Sequence, residues 1–323
     1  MTSSLVLVTG ATGFIGRALL PALTAAGYGV RAAVRKHDRL YEIPPASEVS
    51  AIGEIGTDTD WDDALKEVDA VVHLAGPAHI LKDNSADSSA LFRRVNVTGT
   101  KRLAQMAADR GVRRFIYLSS VKANGEGASE PYSEKDTPAP EDCYGKTKLE
   151  AEEALCKIAS ATGMEVVILR SPLVYGPQVR ANFLRLIKLV DRGIPLPLSS
   201  IRNRRSMIYL GNLVHAVLTC INHPRAAGET FLVSDGHDLP TGDLITMLAL
   251  ALGKRPRIFP FPHALLRTFG KITGMDKELA KLTGSLCIDS GKIRTLLNWQ
   301  PPFTVEEGIG ETIRWYKEKQ DKL

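Results

Sequence analysis

Short apolar runs alternate with helix-length amphipathic segments through the first half of this chain. Leu5 to Val8, Val30 to Val34, Ala70 to Leu74, Phe115 to Leu118 and Val166 to Leu169 are almost continuously apolar, which predicts strands buried on both faces. Between them, Gly13 to Ala26, Leu91 to Arg110 and Tyr144 to Thr162 have the length and spacing of helices. Such alternation predicts an α/β fold, a doubly wound parallel sheet with helices on both sides. Pro21 falls inside the first predicted helix and is expected to kink or weaken it.

The pattern changes after Tyr175-Gly176-Pro177, where loops become rich in Pro, Gly and Arg and the helices shorten. Thr230 to Val233 predicts one more strand, able to return to the main sheet. The expected organisation is a first domain over residues 1–176, rejoined by 207–235. A smaller, discontinuous α/β lobe would come from 177–206 and 236–323, closed by a helix from Val305 to Lys319.

Composition adds bounds. At 323 residues, 44% hydrophobic and 24% charged, the chain has material for one large or two modest globular domains. Its apolar runs are strand-sized, so no transmembrane segment is expected. Met1-Thr2-Ser3-Ser4 lacks the flank of a signal peptide. Cys143, Cys156, Cys220 and Cys287 show neither metal nor disulfide spacing, so a reducing cytoplasm is the expected location and no metal is expected. The net charge of +5 is uneven: between Val179 and Ser206 seven Arg and Lys face a single Asp191. No aromatic interleaving or nucleic-acid motif accompanies them, so a nucleic-acid partner is not expected. A compact diphosphate suits such a segment better.

Thr9-Gly10-Ala11-Thr12-Gly13-Phe14-Ile15-Gly16 joins the first strand to the first helix. Gly-x-x-Gly-x-x-Gly at that place is a dinucleotide fingerprint, with a tight turn, close backbone approach to pyrophosphate, and a helix N-terminus facing the phosphates. A carboxylate at the end of the second strand reads the ribose in NAD sites. Here Val34 is followed by Arg35 and Lys36, which favours NADP(H), while Asp38 leaves NAD(H) open.

Tyr144 and Lys148 stand four residues apart on a predicted helix, hence on one face. A phenol with a pKa of about 10 is a poor acid/base near neutrality. A nearby ammonium is expected to lower it into a working range.

These residues together resemble the extended short-chain dehydrogenase/reductase family, also called the NAD-dependent epimerase/dehydratase family. The resemblance rests on the Gly10/Gly13/Gly16 turn, His73-Leu74-Ala75-Gly76, Asn96-Val97-Thr98-Gly99-Thr100, Leu118-Ser119-Ser120, the Tyr144/Lys148 pair and Arg170 to Pro177. It implies a Rossmann-type fold, Ser120 and Tyr144 on the reacting oxygen, with Ser119 the lesser candidate, and Lys148 on the cofactor ribose. It further implies cofactor contacts from Thr12, Phe14, Ile15, Glu54, Ile55, Leu74, Ala75, Gly76, Pro172 and Val174, and a structural role for Asn96. Homodimers are common in the family, so a homodimer is expected.

In nucleotide-sugar members an Asn and a later Arg hold the substrate diphosphate; Asn182 and Arg205 match those places, and Asn212 stands where an Asp is usual. Lys122 and Asn124 would face the sugar. The run Val121 to Glu126, with Gly284 to Asp289, resembles O-antigen sugar enzymes that interconvert a UDP-4-keto-6-deoxy-N-acetylhexosamine and UDP-N-acetylquinovosamine. The leading expectation is therefore an NADP(H)-dependent oxidoreductase at C4 of a UDP-sugar. The alternative is a UDP-hexose or UDP-N-acetylhexosamine 4-epimerase with tightly bound NAD. A dehydratase is disfavoured, because Val121-Lys122 stands where its acid pair would follow the catalytic serine; a reductase of a hydrophobic ketone and a non-enzymatic NADP-sensing protein complete the range. His263 to Leu282 is basic and partly amphipathic, which raises membrane-surface contact beside the plainer reading of lobe packing.

Overall fold

The strands β1 (Leu5–Thr9), β2 (Gly29–Val34), β3 (Glu48–Ala51), β4 (Ala70–His73), β5 (Arg114–Ser120) and β6 (Glu165–Ser171) run parallel in the computed structural model. It describes residues 4–35, 43–77, 86–127, 130–262, 265–266, 268, 274 and 276–320. The strands β7 (Leu173–Tyr175) and β8 (Met207–Tyr209) pair with each other, and β9 (Thr230–Leu232) joins β6. The main sheet has the order β3-β2-β1-β4-β5-β6-β9. This is a Rossmann-type sheet, and its strand order reverses between β1 and β4, where such sheets open a ligand crevice.

Alternation along the strands explains the two covered faces. Val6 and Val8 of β1 pack with Leu19 and Leu20 of the helix α1 (Gly16–Ala25) in one buried cluster. Leu7, Val71, Phe115 and Tyr117 point the other way, against Leu103 and Leu155. α1 runs unbroken through Pro21, which lies on its exposed side. The edge strand β3, with Glu48 and Ser50, lacks the apolar run of the inner strands.

The segment expected as one helix from Leu91 to Arg110 is three. α2 (Ala86–Phe92) passes into a π-helical stretch over Arg93–Gly99 and then into α3 (Thr100–Asp109). The wider turn carries Asn96, fully buried, toward the next helix. That helix, α4 (Cys143–Thr162), starts where the Asp142 carboxylate accepts from the Gly145 N–H at 2.7 Å, and stops at Gly163 in the left-handed region.

Among the described residues, the longer helices that follow are α5 (Ala181–Asp191), α6 (Leu210–Asn222), α7 (Thr241–Leu252), α8 (Asp276–Thr283), α9 (Gly291–Leu297) and α10 (Val305–Gln320). A third cluster joins Tyr175 and Tyr209 of the small sheet to Phe183, Leu248 and Ile309, forming the core of the smaller C-terminal α/β part. Among the described residues, no helix is long and apolar enough to cross a membrane.

Candidate active site

Tyr144, Lys148 and Glu152 follow each other at four-residue spacing along α4 and so share one face. That face meets the C-terminal end of β5. The Lys148 ammonium donates to the Leu118 carbonyl at 2.8 Å and lies 4.5 Å above the Tyr117 ring and 5.8 Å from the Tyr144 ring centre. Ser120 ends β5; its hydroxyl hydrogen-bonds Tyr144 and accepts from the Lys122 N–H at 3.3 Å. The three residues expected to do the chemistry are thus brought together.

Their electrostatics differ from the expectation in one respect. Burial pushes the Tyr144 phenol up to about 12, the Asp142 carboxylate adds to the rise, and the Ser120 hydrogen bond offsets only part. Burial also draws Lys148 down to about 8 against the opposing pull of Glu152. In the polypeptide alone, therefore, Lys148 does not bring the phenol into the neutral range; desolvation outweighs a cation at this distance.

The two serines divide clearly. Ser119 donates to Glu152, which forms a buried ion pair with Arg170 at 2.5 Å. Arg170 also donates to the Asn124 side chain at 3.0 Å, and Asn124 in turn donates to the Ser133 carbonyl. Asn124 is buried and engaged in this network through both ends of its side-chain amide, so it is not a free group facing a sugar. Lys122 is likewise held, by Glu126 at 2.8 Å and Asp142 at 2.5 Å. The sequence reading missed Glu152 and Arg170. The repeat of four from Tyr144 to Glu152 was the available signal.

The glycine turn is shaped by contact. Gly10 has φ +67°, and a Cβ there would stand 2.9 Å from the Ala75 nitrogen. Thr9 accepts from that same Ala75 N–H and pairs at 2.6 Å with His73, whose other ring nitrogen meets Thr100 at 2.9 Å. No side chain caps the start of α1, so the helix N-terminus just beyond Thr12, Gly13, Phe14 and Ile15 is open to an anion. Farther along, a Cβ on Gly76 would meet the Asn96 Oδ1 at 2.9 Å and the Lys148 Nζ at 3.5 Å. Asn96 donates to Thr147 at 3.1 Å, while its buried Oδ1 has no partner. An uncapped helix end, a glycine-floored cradle through Leu74, Ala75 and Gly76, and an unsatisfied buried acceptor at its far end together fit a dinucleotide. Pro172 joins β6 to β7 and Val174 is the middle residue of β7, at the end of the main sheet where Ser171 pairs with Ser120.

At the opposite end of that cradle, Arg35 is exposed at the end of β2 and Nη1 lies 3.5 Å from Glu54. Beside them is a groove of about 270 Å³ lined by Ile52, Glu54, Ile55, Gly56 and Arg94 among others. Lys36, Asp38 and Arg39 lie outside the described residues.

On the second lobe, Asn182 is exposed on the first turn of α5, after Ala181 with φ +52°. Arg205 is partly buried, donates to the Gly284 carbonyl at 2.9 Å, and has its pKa lowered by burial. Asn212 has a local reason for not being Asp. Its amide donates to Asp235 at 2.7 Å and its oxygen accepts from the Phe303 N–H at 2.9 Å, whereas a second carboxylate would repel the first.

A model of the family described as NAD dependent epimerase/dehydratase matches residues 6–234. The chain is similar to a Vibrio cholerae protein described as UDP-glucose 4-epimerase, with 42% identity over 325 residues covering 98% of this chain and 97% of the relative. Among solved structures it is similar to MoeE5 in complex with UDP-glucuronic acid and NAD, at 26% identity, TM-score 0.78, and coverage of 97% and 99%. UDP-glucuronic acid 4-epimerase from Bacillus cereus in complex with NAD shares the fold, at 23% identity, TM-score 0.78, and coverage of 98% and 99%.

These relatives correct two expectations. Both solved structures hold NAD, not the NADP(H) that Arg35 suggested. The physical reason is Glu54: it sets a carboxylate beside Arg35, so the pair presents no uncompensated positive charge to a 2′-phosphate. The keto-sugar reductase expectation is also overturned, because the 42% identical relative is a 4-epimerase.

Proposed function

The chain belongs to the NAD dependent epimerase/dehydratase family, and we propose that it is an enzyme that inverts C4 of a UDP-hexose, using NAD that stays bound. The observation that carries this reading is the 42% identity to a UDP-glucose 4-epimerase across 98% of the chain. The assembled Ser120, Tyr144 and Lys148 support it.

Bound NAD would supply a reversible acceptor for the hydrogen on C4. With its phenol ionised by the added positive charge that the bound cofactor would bring, Tyr144 would take the C4 hydroxyl proton as the ketone forms and return it when the alcohol re-forms on the opposite face. Ser120 hydrogen-bonds the same oxygen, and Lys148 holds the cofactor ribose. Gly10, Gly13, Gly16, Leu74, Ala75, Gly76 and Asn96 line the cofactor path, with Arg35, Glu54 and Ile55 at its adenosine end and Pro172 and Val174 at the other. Asn182 and Arg205 grip the UDP diphosphate from the lobe formed by 177–206 and 236–323. Lys122 acts indirectly, by pairing with the Asp142 that starts the catalytic helix.

Incubation of the purified protein with UDP-glucose, without added cofactor, tests the reading. UDP-galactose is the expected product. Failure to convert UDP-glucose or UDP-N-acetylglucosamine, in protein shown to contain NAD, would overturn it.

A further inference from the structure

One end of the second lobe carries chemistry that the proposed reaction does not use. Arg185, Lys188 and Arg192 are exposed at a spacing that places them on one side of α5 and its end. The chain then turns through exposed Ile194, and Leu196 pairs with Ile258. The Leu196 N–H donates to the Arg257 carbonyl at 2.9 Å and the Phe259 N–H to the Leu196 carbonyl at 3.1 Å. Lys254 reaches back to Asp191, so residues 185–194 and 254–259 form one continuous surface. Those two segments hold six exposed Lys and Arg, Lys254, Arg255 and Arg257 being the others, and one acid, Asp191.

Apolar side chains project from the same surface. Of the six large hydrophobics most exposed among the described residues, Ile194 (40%) and Phe259 (40%) lie in these segments, Leu250 (64%) stands on the last turn of α7 just before Lys254, and Leu265 (56%) follows six residues after Phe259. Phe259 and Phe261 meet edge to face at 6.5 Å, next to exposed Pro260 and Pro262. Large exposed apolar patches mark contact sites. Aromatic and aliphatic tips ringed by cations suit a headgroup layer, where the tips enter the acyl boundary and the cations meet lipid phosphate.

We propose that this end of the second lobe docks on an anionic lipid surface. The charge balance selects that occupant over a second copy of the chain, whose matching patch would bring like charges together. The inference stands independently of the reaction assigned to the cleft.

Vesicle flotation tests it with the full chain and vesicles of phosphatidylcholine, with or without phosphatidylglycerol. Wild-type protein is expected to float with the anionic vesicles at low salt and to release at high salt. The double charge reversal Arg255→Glu/Arg257→Glu, and separately Phe259→Ser/Leu265→Ser, are each expected to weaken partition about tenfold or more. Lys157→Glu on α4 is expected to retain it. Unchanged circular dichroism and urea-unfolding midpoints in all three show that they fold. Absence of binding to anionic vesicles, equal loss in the Lys157→Glu control, or a change in sedimentation without a change in flotation would overturn the proposal.

Discussion

The Lys148 ammonium donates to the Leu118 carbonyl at 2.8 Å, tying the helix that carries Tyr144 to the strand that ends in Ser120. Acid/base group and hydroxyl partner come from elements separated by more than twenty residues. This one bond, with the Tyr117 ring beneath it, fixes their spacing.

The buried position of that ammonium gives a stability signature. Its folded pKa of about 8 lies below the unfolded value of 10.5, so between these values the native chain binds fewer protons than the unfolded one. Stability due to Lys148 therefore rises with pH across this window. Relative to Lys148→Met, wild-type protein should gain up to about 3 kcal/mol between pH 8 and 10.5, measured by urea unfolding of both proteins. A flat difference would remove the buried charge from the description.

His73 acts in the same sense, in a window at acid pH. Burial, reinforced by Lys148, draws its pKa from 6.5 to about 3, so it stays neutral in the fold while the unfolded chain takes up a proton. The stability it contributes is present above pH 6.5 and is lost as pH falls toward 3. At pH 5 the loss should be about 2 kcal/mol. The corresponding fall should be absent in His73→Gln, with denaturant unfolding at pH 7 and pH 5 as the measurement.

The Glu152–Arg170 pair lies behind the site, one helical turn from Lys148. Arg170→Leu leaves a buried carboxylate without its cation and should cost about 3–5 kcal/mol. The double variant Glu152→Leu/Arg170→Leu should recover part of that loss. Urea unfolding of the two single variants and the double variant separates a buried pair from two independent contacts.

Glu54 is expected to set cofactor choice through Arg35. Glu54→Gln frees the guanidinium, and NADP binding should strengthen relative to NAD by about tenfold. Titration of cofactor-stripped protein with both nucleotides measures this. An unchanged ratio would mean that Arg35 does not face the 2′ position.

How much of this was legible in the sequence depended on distance along the chain. Inner strands such as the run Ala70-Val71-Val72 announced themselves because both faces are buried, whereas β3, with Glu48 and Ser50 at the sheet edge, had no such pattern. Tyr144 and Lys148 were readable because a helix places them together by local spacing alone. The π-helical stretch around Asn96 was not, since one wider turn barely disturbs helical periodicity. Arg35 and Asn124 misled for a common reason. Each has its neutralising or hydrogen-bonding partner, Glu54 and Arg170, on a different element, and only folding brings the two together.

The most direct test of C4 inversion follows UDP-glucose and UDP-N-acetylglucosamine by proton NMR, with purified protein and no added nicotinamide cofactor. The expected result is approach to a fixed ratio of C4 epimers with no net change in NADH absorbance. Tyr144→Phe should slow that approach by about 10²–10⁴-fold while retaining the fold. Unchanged epimerisation in Tyr144→Phe, or no epimerisation of either sugar by NAD-loaded wild-type protein, would contradict the assignment.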